Sequence, residues 1–202
     1  MFADPLALVA LAIATAWACG LNVYAAAFIL GFMGARGMVD LPAQMTLLEH
    51  PVLLAAIATM YFVECFTDKV PGLMSVWDAL HTVIRIPAGA VLSAAAVADL
   101  GWAAQAVAGL AGAGIAASSH AAKVSARAVI HTTAKLSLSW GASVAEDVLV
   151  FLGLWLVITD PAWFALLLAA WIVLLIGYWP TLKRGSRIAV RRLTHRAAQH
   201  TG

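Results

Sequence analysis

Between Asp4 and Arg36 the chain carries no charged residue. This is the feature that most limits what the protein can be. As one helix, residues 5 to 34 would reach about 45 Å at the usual rise per residue. A bilayer's hydrocarbon core is only about 30 Å thick. The stretch is long enough to cross a membrane, and too long to cross it straight without tilting, protruding or breaking. Gly20-Leu21-Asn22 is the expected break. Glycine weakens a helix, and asparagine competes for its backbone hydrogen bonds. Asn22-Val23-Tyr24 also brings a polar pair into the broken segment, where it is either a simple kink or part of a binding site.

The remaining sequence agrees with a membrane setting. Hydrophobic residues make up 63% of the 202 and charged residues 11%. Soluble domains carry roughly 25% charged residues. At about 20 residues per span the length allows six or seven helices and no sizeable soluble domain. The first apolar run has no positive start of the kind a secretory signal needs, so it is expected to be retained as a span. Cys19 and Cys65 lie in separate apolar segments and read as small buried hydrophobes. No P-loop, GxSxG or HExxH motif occurs. Neither an enzyme nor a bound cofactor or metal is expected.

In order, the sequence predicts a loop at 35–50, a second apolar helix at 51–66, and a break at Pro71-Gly72. A short amphipathic helix at 74–85 and a further helix from Pro87 to about 98 follow. Asp99-Leu100-Gly101 is a turn, 102–118 an Ala/Gly-rich helix, and 119–135 a polar stretch. Residues 141–158 and 162–179 are spans joined by a turn at Thr159-Asp160-Pro161, with Trp163, Trp171 and Trp179 as interfacial candidates. The expected fold is all-α: a polytopic membrane helix bundle of six transmembrane helices, or seven if the first run splits into 5–19 and 20–34. Residues 1–182 form one transmembrane domain and 183–202 a basic tail.

Six of the twelve Lys and Arg residues lie between Lys183 and Arg196. Cytoplasmic loops of membrane proteins carry the excess of positive charge, so the C-terminus is expected inside, in a bacterial inner membrane. The tail reads as resting on anionic lipid. This topology explains the charge without nucleic acid. It also places the ionisable residues near the cytoplasmic ends of their helices.

The two halves are alike in plan. Residues 5–34 and 102–131 are equally long, each with a small or polar interruption after roughly half its length, and each is followed by a helix bearing acids. Three spans per half makes an inverted repeat, over 1–99 and 102–180. In transporters such repeats with interrupted helices point to a midplane binding site.

The ionisable residues form two sets. Glu64, Asp68, Asp78, Glu146 and Asp147 are acidic, and Lys69, Arg85, Lys123 and Arg127 are basic. Glu64 and Asp68 share a helix face at i, i+4, and so do Asp78, His81 and Arg85 at i, i+3, i+7. His120, Lys123, Arg127 and His131 make a stripe at i, i+3, i+7, i+11. Charges at membrane depth must face protein, water or each other. These residues, with Asn22, therefore either neutralise one another as a structural network or line a site for an ion or small charged solute.

The combined motifs resemble a family. Glu64-x-x-x-Asp68-Lys69-x-Pro71, Asp78, Arg85-x-Pro87-x-Gly89, His120-x-x-Lys123-x-x-x-Arg127, Glu146-Asp147 and Gly20-Leu21-Asn22-x-Tyr24 are together similar to the small bacterial membrane proteins called domain of unknown function four-one-two-six. The resemblance covers about residues 10 to 180. It implies an integral membrane protein and supplies no activity. Taken together, these readings lead to the expectation of a small transporter or channel, with the bilayer as its surroundings and a homo-oligomer as its assembly. A non-transporting accessory or lipid-binding protein is the alternative.

Overall fold

A computed structural model describes residues 4–67, 73–133 and 136–180, with side chains at all of these outside 73–80 and 128–140. Among the described residues the fold is all-helical: α1 (Pro5–Ala35), α2 (Pro51–Thr67), α3 (Leu73–Ala96), α4 (Trp102–Thr133), α5 (Leu136–Thr159) and α6 (Pro161–Gly177). Short 3-10 turns cover Ala43–Glu49 and Ala98–Leu100.

Helix α1 is the axis of the bundle. It packs against all five other helices, most heavily α3, α4 and α5. A helix that is apolar on every side is one that can be buried on every side. Leu11, Ala14, Trp17, Ala18, Leu21, Ala26 and Leu30 are all essentially inaccessible. Close approach needs small residues at the crossings. At Gly20 a Cβ would collide with Ser119 Oγ and the Ala116 carbonyl of α4, so only glycine allows the two long helices to touch there. Ser119 Oγ also donates to the Trp17 carbonyl at 3.0 Å, and Ser93 Oγ to the Ala12 carbonyl at 2.7 Å. Trp17 meets Phe164 and Trp171 edge-on, with centroids 6.3 and 5.7 Å apart, which docks α6 onto α1.

The predicted break in α1 is present, and it falls at Asn22, whose φ of −151° and ψ of 101° are extended. The turn before α4 is also present, with Gly101 at φ 95°. Asp160 caps α6 by accepting from the Ala162 N–H.

Four expectations are corrected. Residues 35–50 are partly helical: Met45 and Leu48 of the 3-10 turn bury against α1. The two helices expected on either side of Pro87 are one, α3, with Pro87 inside it. A proline removes one N–H and strains one turn, which a helix packed along its length against α1 and α4 withstands. The polar stretch expected at 119–135 continues α4 as far as Thr133, because Lys123 and Arg127 find partners inside the bundle; residues 134–135 lie outside the described residues. Trp171 also departs from its interfacial reading, since it packs on Trp17, whereas Trp163 and Trp179 are exposed.

Among the described residues two helical stretches are long and apolar enough to cross a membrane, α1 and 141–159 of α5. A third arises if the 3-10 turn Ala43–Glu49 and α2, bent by 69°, are taken as one broken span. Helix α6 is apolar but has 17 residues. By length and hydropathy, two or three of the described helical stretches are able to cross a membrane. Helix α4 is long at 32 residues, but Ala, Gly and charged side chains dilute its hydropathy. The tail lies outside the described residues.

Candidate functional site

The site is built on the break in α1. In an unbroken helix the Ala25 N–H would donate to the Leu21 carbonyl, four residues back. Here it donates to Asn22 Oδ1 at 3.0 Å, so Asn22 caps the second half of α1. The Leu21 carbonyl is thereby released, and Lys123 Nζ of α4 donates to it at 2.6 Å. The other end of the same amide, Asn22 Nδ2, donates to Asp147 Oδ1 of α5 at 2.9 Å. Tyr61 of α2 donates to the second Asp147 oxygen at 3.0 Å.

The acids and bases interlock around this point. Arg85 Nη2 of α3 donates to Glu64 Oε1 of α2 in a wholly buried pair. Lys123 Nζ lies 3.0 Å from Glu146 Oε2 and 3.7 Å from Glu64 Oε1. Arg127 grips Glu146 with two bonds, Nε to Oε1 at 3.2 Å and Nη2 to Oε2 at 2.6 Å. Arg85 Nη1 meets His120 Nδ1 at 3.1 Å. A guanidinium only donates, so Nδ1 accepts, the ring proton sits on Nε2, and that nitrogen donates to Thr82 Oγ1 at 2.7 Å. Beside this network Tyr24 and His81 share a hydrogen bond of 3.1 Å.

The centre is thus drawn from five helices. Its described charges balance: Glu64, Glu146 and Asp147 against Arg85, Lys123 and Arg127. Such balance is what low dielectric demands. Glu64 and Arg85 have no accessible side-chain surface and Lys123 has 1%, whereas Glu146 has 15%, so the cluster nears the surface on the Glu146 side. Within the buried pair, Glu64 Oε2 and Arg85 Nε have no hydrogen-bond partner among the described residues. Among those residues, too, no three His, Cys, Asp or Glu side chains are placed to hold a metal ion together.

Of the sequence-predicted residues, Asn22, Glu64, Arg85, His120, Lys123, Arg127, Glu146 and Asp147 converge. Most sit well inside their helices rather than at the ends, which corrects the simple picture of charges gathered at helix termini. Asp68, Lys69 and the side chains of Asp78 and His131 lie outside the described residues. Tyr61 and Thr82 were not anticipated. Tyr61 lies one turn before Glu64 on the same face, and a buried phenol needs a partner. That spacing was the available signal.

A separate cleft of about 250 Å³ lies between α1, α3 and α4, lined by Val9, Ile13, Val97, Val107 and Ile115 among others. Its wall is almost entirely hydrocarbon, which disqualifies it as a site for a charged solute.

Fold and site together define a helical bundle with helices long and apolar enough to cross a membrane and a buried, charge-balanced centre at a helix break. Residues 9–181 match the family described as Domain of unknown function (DUF4126), and the chain belongs to that family. No curated protein and no solved structure matches it.

Proposed function

We propose that this chain is an integral membrane protein of the bacterial inner membrane that acts as a small transporter or channel for an ion or small charged solute. The supporting observation is the convergence of charged side chains from four helices on the interruption of the fifth, α1. A broken helix with freed carbonyls and facing charges is how transporters present polar ligands at membrane depth. Six spans in two inverted repeats and a cytoplasmic C-terminus, with the tail on anionic lipid, complete the reading. The two longest helices, α1 and α4, cross near their midpoints at Gly20 and Ser119, as related halves would. A homo-oligomer is the proposed assembly, since one bundle of this size is small for a carrier.

The test is flux. Purified protein in liposomes should move an ion or small charged solute down an imposed gradient. Glu64→Gln should abolish that movement while remaining monodisperse at the assay temperature. Silence across a broad panel of ions and solutes, with a partner protein co-purifying stoichiometrically, would sink the transport reading. It would favour the second one, an accessory or lipid-binding protein held together by this network. The even balance of three acids and three bases supports that second reading, because such a set can satisfy itself.

A further inference from the structure

The surroundings of Lys123 Nζ resemble those of a bound ion more than those of an ordinary ion pair. Its ligands are the Leu21 carbonyl at 2.6 Å, Glu146 Oε2 at 3.0 Å and Glu64 Oε1 at 3.7 Å. They come from three helices, and none is adjacent in sequence to Lys123. A main-chain carbonyl released at a helix break is a donor that broken-helix transporters use for monovalent cations, and here two carboxylates from facing helices join it. Glu64 is wholly buried, and its second oxygen has no hydrogen-bond partner among the described residues, so this carboxylate is not saturated by the contacts it makes.

We propose that Lys123 occupies a monovalent-cation site with its own ammonium, so that the protein carries a tethered cation where a free one would otherwise bind. The charge count agrees. With Lys123 the described centre is neutral. Without it, three carboxylates face two guanidinium groups, and an unpaired buried charge is costly. The vacated slot, lined by oxygens and short of one positive charge, then takes an alkali cation. An ammonium and a potassium ion are similar in size, so K⁺ and Rb⁺ fit the slot better than Li⁺. The inference rests on the cluster's geometry and does not require transport; it does require that the wild-type site take no free alkali cation.

Thermal unfolding in detergent tests it, with KCl, RbCl, NaCl, LiCl and choline chloride compared at equal ionic strength. The wild-type chain should melt at the same temperature in all five. Lys123→Ala should melt higher in 100 mM KCl than in choline chloride, by on the order of 3 °C, with Li⁺ less effective. The charge-balanced double variant K123M/E146Q should be indifferent to the cation. A monodisperse K123A that ignores the cation overturns the proposal. So does an alkali-specific response in the wild type or in the double variant. If K123A aggregates in choline but is monodisperse in KCl, the proposal stands. Aggregation in every salt overturns it whether or not the double variant folds, since no cation then replaces the amine.

Discussion

Replacing Asn22 separates a built site from a local helix defect. Its side chain makes two contacts, the cap on the Ala25 N–H and the bond to Asp147. Losing a cap costs about 1 kcal/mol. A hydrogen bond to a charged group is worth about 1.5–3 kcal/mol. Asn22→Ala should therefore destabilise by about 3 kcal/mol, which for a chain of this length lowers the melting temperature by roughly 6–12 °C. Asn22→Ser keeps a capping oxygen and loses only the Asp147 bond, so it should fall between. Asn22→Asp keeps the cap but sets a second carboxylate where Nδ2 now lies, 2.9 Å from Asp147 Oδ1. Like charges that close are strongly unfavourable when buried, so N22D should be worse than N22A at neutral pH. Thermal melts of the four proteins in one detergent give the order. If N22A matches or exceeds the wild type, the helix has closed over the break at no cost. The interruption would then be a property of asparagine alone, and the reasoning fails. N22D more stable than N22A would refute the assigned contact with Asp147.

Two further perturbations test the packing and the charge balance. Arg85→Met strips the wholly buried Glu64 of its closest counter-charge and should cost about 3–5 kcal/mol, while R85M/E64Q, neutral again, should recover most of it; additive losses in a double-mutant cycle would show that the pair is not coupled. Gly20→Ala drives a methyl into Ser119 and the Ala116 backbone and should cost about 1–3 kcal/mol. G20A/S119G should recover only part of that, because the carbonyl cannot be removed, and an unperturbed G20A melt would mean the α1–α4 contact is looser than described.

What the sequence disclosed, and what it hid, follow from the range of the interactions. The break at Asn22 was legible because glycine and asparagine weaken a helix locally. The basic stripe was legible because helical periodicity alone puts His120, Lys123 and Arg127 on one face. Pro87 misled for the same reason: its local effect is to end a helix, and the contacts that carry α3 through it come from α1 and α4. The stretch after residue 118 read as a polar segment because its charges look unfit for a bundle until their partners are known. Those partners are far away in sequence, Arg85 for His120 and Leu21 for Lys123. Glycine's part at position 20 also differed from its local reading. It makes room for α4, while the neighbouring asparagine makes the break.

The same separation has a consequence for biosynthesis. Helix α1 emerges first, yet the Leu21 carbonyl must wait for Lys123, 102 positions later, and Asn22 for Asp147, 125 positions later. At about 5–20 residues per second of translation, that wait is roughly 5–25 s. Through it the most hydrophobic early segment of the chain displays an unsatisfied polar break. On the proposed membrane reading, the nascent α1 is a natural client for whatever insertion machinery shelters polar groups, and it leaves that shelter only when the fifth helix arrives to complete its bonds.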